Sequence, residues 1–133
     1  MPITLFKLSN TYHTLSELAK EKLPIKLSYA INKNIHFLEP DYHFYQNKIY
    51  ELYQTYFKTD ENGQFLVTEI DENTSSYQVK EGKTEELTKK IQELNNTEIS
   101  IETYPFDLDL LINSNIQIEA NLFNDIDYLI ANN

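Results

Sequence analysis

Apolar and aromatic residues recur through the middle of the chain in steps of three and four: Ile35, Leu38, Tyr42, Tyr45, Ile49, Leu52 and Tyr56. Heptad spacing of this kind marks a helix face packed along another helix. Leu27 and Ile31 extend the seam backwards in steps of four. Pro24 stands where such a helix should open, since a missing N–H costs nothing in a first turn. Pro40 falls inside it, where it removes the bond to the carbonyl of His36 and pushes Glu39 away from helical angles. Because the seam keeps its phase across Pro40, and Pro40 lies off it, a continuous kinked helix is favoured over two helices meeting there.

The pattern before and after this stretch is of mixed type. Ile3 to Leu8 alternates as a short strand or extended lead-in, with Ser9 and Asn10 as N-cap candidates for a helix from about Thr11 to Lys22. Tyr12, Leu15, Leu18 and Ala19 form its inner face, and Lys20 and Lys22 suit its C-terminal dipole. Asp60-Glu61-Asn62-Gly63 is a tight turn, and Phe65 to Ile70 with Ser76 to Val79 reads as a hairpin around the loop Asp71 to Ser75. After Gly82, Thr84 opens a helix to about Asn95, whose Leu87, Ile91 and Leu94 can lie antiparallel against the long seam. Glu98 to Tyr104 alternates most clearly, with Ile99 and Ile101 on one side and Glu98, Ser100 and Glu102 on the other, and Pro105 stops it. Phe106, Leu108 and Leu110 alternate with Asp107 and Asp109. Ile116 and Ile118 follow a turn at Asn113-Ser114-Asn115. A closing helix over Ala120 to Ala131 turns Leu122, Phe123, Ile126, Leu129 and Ile130 inward. The sum is an α+β fold. A long kinked helix in an antiparallel helical hairpin packs with a small antiparallel sheet and a C-terminal helix, in a single domain of 133 residues.

Charge adds an asymmetry. The formal net charge is −10, and all eleven basic residues are lysines, the last being Lys90. Beyond it stand Glu93, Glu98, Glu102, Asp107, Asp109, Glu119, Asp125 and Asp127 with nothing basic to offset them. That third is unsuited to nucleic acid, whose phosphates need Lys or Arg. It suits either a basic protein surface or plain solvation. Without cysteine there is neither disulfide nor thiolate chemistry. No apolar run approaches a membrane span, and the N-terminus lacks the layout of a secretion signal, so a cytoplasmic protein, or one delivered by other means, is expected.

Candidate chemistry is sparse. His36, Glu39 and His43 share a helix face, as zinc ligands would, but Pro40 lies among them and no fourth ligand is in reach of the pattern. The pairs Asp107/Asp109 and Asp125/Asp127 show no sign of a desolvated pocket, no serine has a nucleophile's context, and neither glycine belongs to a phosphate loop. No catalytic residue, cofactor or metal is expected. Tyr42, Tyr45, Tyr50, Tyr53 and Tyr56 crowd the second half of the long helix beside Phe44 and Phe57. They fit either a wide core face or a partner surface. The candidate partner-binding residues are therefore Tyr50, Tyr53, Phe57, Glu98, Glu102, Asp107, Asp109, Asp125 and Asp127.

Several stretches carry a likeness: Ile3 to Asn10, Leu15-Ser16-Glu17-Leu18-Ala19, Leu23 to Asn34, Asp60 to Gly63, and Leu94 to Glu102. Through most of its length the chain resembles a family of small phage and prophage proteins from low-GC Gram-positive hosts. The resemblance implies a mobile-element origin and brings no catalytic residue with it. The region around Tyr77 to Lys83 is where most variation is expected, and nothing is carried over there. Two roles follow as expectations. One is a non-enzymatic, acidic module that binds and inhibits a host defence protein. The other is a virion or tail-assembly component, in which a second copy completes the heptad seam.

Overall fold

Thr4 sets where strand gives way to helix. Its backbone is extended (φ −77°, ψ 153°) and its hydroxyl accepts the Lys7 N–H at 3.1 Å. In the computed structural model, which describes residues 1–131, β1 (Pro2–Thr4) therefore passes directly into α1 (Leu5–Leu18). The expected start at Thr11 is corrected: Ser9 and Asn10 are helical, not caps. The buried stripe of α1 is Leu5, Leu8, Thr11, Thr14, Leu15 and Leu18. Two threonines sit on it, so the period of the helix is hidden in a hydrophobic reading. The helix also ends before Lys20 and Lys22, which leaves no basic residue in its last turn.

β1 pairs antiparallel with β4 (Glu98–Ser100) in the register Ile3↔Ile99, and Ile101 N–H extends the ladder to the Met1 carbonyl at 3.0 Å. β4 is shorter than the alternation suggests, but its faces are as read. Ile101 is buried, Ile99 half-buried, and Glu98, Ser100 and Glu102 exposed.

The long helix is continuous. α2 runs Ile25–Tyr56 with Pro40 inside it at an exposed position, and the Pro24 carbonyl accepts the Ser28 N–H at 2.9 Å at its start. By residue contacts the chain divides within α2 into two compact units. One comprises Met1–Tyr45 with the segment from Asn95 on; the other is Gln46–Leu94.

In the first unit the buried residues of α2 are Leu27, Ala30, Ile31, Asn34 and Leu38. All but Asn34 join Leu8, Leu15, Ile101, Phe106, Leu111, Ile126 and Leu129 in one mainly aliphatic core. Ile35 and Tyr42 flank it half-buried, so the seam's centre is displaced by one residue from the heptad reading. Phe106 forms a parallel bridge to Ile130, and α4 (Leu108–Ile112) follows. Leu111 is buried there and Leu108 exposed, the reverse of what strict alternation gives.

The closing helix is corrected too. α5 covers only Ala120–Asn124, and after a turn a 3-10 helix spans Asp127–Leu129. The break has a cause in α1. Thr11 Oγ1 donates to the Asp125 carbonyl at 2.6 Å, and Thr14 Oγ1 donates to the Asp125 carboxylate at 3.1 Å. These bonds hold Asp125 where a straight helix would not place it. The residues expected inside are nonetheless inside: Ile126 and Leu129 fully, Leu122, Phe123 and Ile130 in part.

The second unit gathers around rings. Beyond α2, Phe57 and Thr59 bridge to Val79 and Phe65, and β2 (Val67–Glu69) pairs antiparallel with β3 (Ser75–Tyr77). α3 (Thr84–Asn95) supplies Leu87 and Ile91 to a core with Leu52, Tyr53, Tyr56, Phe57, Phe65 and Val79. The expected packing of α3 side chains on the seam of the long helix is thus found at Leu52 and Tyr56. In the Asp60–Gly63 turn, Asp60 Oδ1 accepts the N–H groups of Asn62 (2.8 Å) and Gln64 (3.0 Å), and Gly63 takes φ +80°. Such an Asx turn explains why Asp and Gly stand there. No helix of the described residues is long and apolar enough to cross a membrane.

Candidate functional site

An open, largely apolar groove of the first unit lies between the start of α2 and the segment after β4. Ile25, Lys26, Tyr29 and Ala30 form one side, and Tyr104, Pro105, Phe106, Asp107 and Leu110 the other, around a groove of about 420 Å³. That is the size range of a small-molecule or side-chain pocket. Ala30 and Phe106 are buried and form its floor. The Tyr29 and Tyr104 rings meet edge to face at 5.4 Å and stay solvent-exposed.

The groove's far wall is held by one side chain. Asn34 is 1% exposed, and its Nδ2 donates to the carbonyls of Ala30 (2.9 Å) and Tyr104 (2.8 Å) while its Oδ1 accepts the Tyr104 N–H at 2.7 Å. An amide can satisfy both backbone groups of an irregular residue at once, which no apolar side chain does. Sequence reasoning missed this residue. The available signal was a lone Asn on an otherwise apolar stripe at Leu27, Ile31 and Leu38.

Charge around the groove is unusual. Lys26 stands on one side and Asp107 on the other, and neither makes an ion pair within the described residues. The ion pairs found among the described residues are local, Lys20 to Glu17, Lys48 to Glu51 and Lys83 to Glu86, and His43 Nε2 lies 3.4 Å from the Glu39 carboxylate. Among the described residues no lysine forms an ion pair with Glu98, Glu102, Asp107, Asp109, Glu119 or Asp127.

The residues proposed for a partner surface fall in different settings. Tyr50 is exposed, its ring 6.1 Å from Phe65. Tyr53 is half-buried and stacks on Phe57 at 4.6 Å. Phe57 is 8% exposed, with Phe65 edge-on at 5.6 Å and Tyr77 at 5.1 Å, so it belongs to the core and not to a surface. Those three lie in the second unit. In the first, Glu98, Glu102, Asp107, Asp109 and Asp127 are exposed, whereas Asp125 is half-buried and engaged by Thr14. Only Asp107 reaches the groove. Glu98 and Asp127 share a smaller cavity, about 330 Å³, with Lys7 and Tyr128.

Around Tyr128 a polar network ties the chain's end to α1. Its hydroxyl donates to Thr11 Oγ1 at 2.9 Å, Lys7 Nζ lies 5.6 Å over its ring, and the same ammonium donates to the Asn124 carbonyl. Burial pushes the Tyr128 phenol up to about 12, and the nearby Asp127 and Asp125 add to the rise. Tyr12, stacked on Tyr42 at 3.9 Å, is likewise raised, by burial first and then by Glu39 and Tyr42.

Of the suggested zinc ligands, His43 reaches Glu39 at 3.4 Å, and among the described residues no three candidate ligands are grouped to hold a metal. Compared with family models, with curated proteins and with solved structures, the chain finds no match.

Proposed function

We propose that this chain is a non-enzymatic protein-binding module of phage type, an acidic inhibitor of a host defence protein acting in the host cytoplasm. The observation that carries the reading is the set of exposed carboxylates at Glu98, Glu102, Asp107, Asp109 and Asp127, none in an ion pair with a lysine among the described residues. Such a surface complements a channel lined by Lys and Arg that normally holds nucleic acid, and competes with phosphates for it. No direct binding of nucleic acid, membrane or cofactor is part of the reading.

The test is affinity capture of a tagged chain from host lysate at low and raised salt, followed by nuclease assays on what is captured. A basic nucleic-acid-processing protein should be retained, released by salt, and inhibited. Joint neutralisation (E98Q, E102Q, D107N, D109N) should weaken retention at least tenfold. Recovery of background alone, with host nuclease activity untouched, would sink the idea.

The second reading, a virion or tail-assembly component, draws on the exposed apolar groove at Ile25, Tyr29 and Tyr104. It expects a defined ring or filament by light scattering, and a strict monomer at high concentration counts against it.

A further inference from the structure

We infer that the groove between the start of α2 and α4 is a contact face between two copies of this chain, related by a two-fold axis. The inference does not need the inhibitor reading, with which it shares only Asp107.

Three exposed apolar side chains line this groove. Ile25 is 87% exposed in the first turn of α2, and Tyr29 and Tyr104 show their rings to solvent beside it. On α4, Leu110 lines the groove while Leu108 and Ile112, four residues apart, remain exposed, Ile112 at 62%. A projecting Ile25 next to a hollow floored by Ala30 and Phe106 supplies both a knob and a hole on one face. A two-fold contact requires that, because each copy must offer both halves of the fit.

Charge selects the occupant. With a net charge of −10, most of this molecule's surface repels a second copy of itself. The groove is different, since its lining carries one lysine and one aspartate, neither in an ion pair among the described residues. A strongly basic partner would meet Lys26 with like charge, and an acidic one would meet Asp107. A two-fold copy meets both with opposite charge: Lys26 of each faces Asp107 of the other, twice over.

The experiment uses the full chain and charge reversal at these two exposed positions. Sedimentation equilibrium should show the 15.7 kDa species giving way to its dimer across about 10 µM to 1 mM, the range expected for an interface of modest area. K26E and D107K should each weaken association at least tenfold, because each sets like charges against each other at both contacts. Mixed in equal amounts, the two variants should dimerise again. At one contact the introduced acid then faces the introduced base, and at the other the remaining Lys26 faces the remaining Asp107. I25E is a third variant that should abolish the dimer while leaving the fold intact, because an acid in a first helical turn is favourable there. Far-UV circular dichroism checks that all three remain folded.

A parent chain that stays monomeric throughout would overturn the proposal. So would a dimer indifferent to all three changes, or charge variants that stay monomeric when mixed.

Discussion

The first unit closes on itself through residues far apart in the chain, the second through near neighbours. Asn34 grips Tyr104 across 70 positions, and Tyr128 reaches Thr11 across 117. In the second unit the bonds run between segments of one short stretch: Lys58 to Gln78, Leu66 to Lys58, Gln78 to Leu66, Lys80 to Tyr56. The cores differ to match. The first is aliphatic, with Leu5, Leu8, Leu15, Leu27, Ile31, Leu38, Ile126 and Leu129 fully buried. The second has only Tyr56, Phe57 and Leu87 buried, with half-covered rings around them. A core so small, closed by local contacts, opens more readily than one closed by buried non-local bonds. The two units are therefore expected to differ in what breaks them.

The largest effect is expected at Asn34. Replacing it with alanine leaves the Tyr104 N–H and C=O without their partner, and each such group costs about 1–3 kcal/mol when it stays buried. Asn34→Ala should thus lower stability by roughly 2–5 kcal/mol, read from the urea midpoint, and speed hydrogen exchange at the Tyr104 amide. A loss under about 1 kcal/mol would mean that water replaces the amide at no cost, and the closure would not depend on this clamp.

Next comes Leu87, the one fully aliphatic member of the second unit's buried set. Leu87→Ala should cost roughly 2–4 kcal/mol through the cavity it leaves under Tyr56 and Phe57. The comparison is sharpened by where the loss appears. Hydrogen exchange should quicken for amides of Gln46–Leu94 while those of α1 and β4 keep their protection. Equal loss in both would show that they unfold as one, and the contrast between them would fall.

What was legible in the chain follows the same division. The second unit is local, so its turn at Asp60 to Gly63, its hairpin and its helix from Thr84 could be read from neighbouring residues. The first hides its decisive features in polar residues on apolar stripes. Thr11 and Thr14 are buried and bonded, yet they read as breaks in a hydrophobic pattern and so misplaced the start of α1. Asn34 lies one position before Ile35, the residue that the heptad reading placed on the seam, so it read as a residue off the packed face. Asp125 ends α5 because of hydroxyls more than a hundred positions away, which no window on the sequence can contain. The groove was missed for a related reason: only long-range packing decides that Ile25, Tyr29 and Tyr104 stay uncovered. Of the proposed surface residues, Phe57 failed on the same ambiguity in the other direction, while Asp107 does line the groove.

Tyr128 tests the first unit through pH. Its phenol is shifted from 10.0 to about 12, so the fold favours the neutral form. That contribution is fully present below pH 10 and is lost as pH rises through about 12. The loss is at most about 2–3 kcal/mol, from about 1.4 kcal/mol for each pH unit. Tyr128→Phe cannot ionise there but gives up the bond to Thr11, worth about 1 kcal/mol. The variant should be the less stable at pH 8, and the gap should shrink or reverse by about pH 11.5 as the parent's phenol ionises. The other tyrosines are common to both chains and cancel in the difference. A gap that stays constant with pH would place the Tyr128 hydroxyl in solvent.

The smallest effect sets one left-handed residue in each unit against the other. In the second unit Gly63 stands at φ +80° with nothing within 4 Å of where a Cβ would go. Gly63→Ala therefore meets no clash, only the backbone penalty of about 1 kcal/mol, partly offset by a stiffer unfolded chain. In the first unit the corresponding conformation is taken by Asn115 at φ 60°, a residue type that tolerates it. Asn115→Gly relieves that mild strain but loosens the unfolded chain, so it should move stability by less than about 0.5 kcal/mol. Paired urea melts should give a clear loss at 63 and almost none at 115. If Gly63→Ala is neutral, the Asp60 turn relaxes without cost. In that case local turn chemistry would not hold the second unit's hairpin, and its ring cluster would have to.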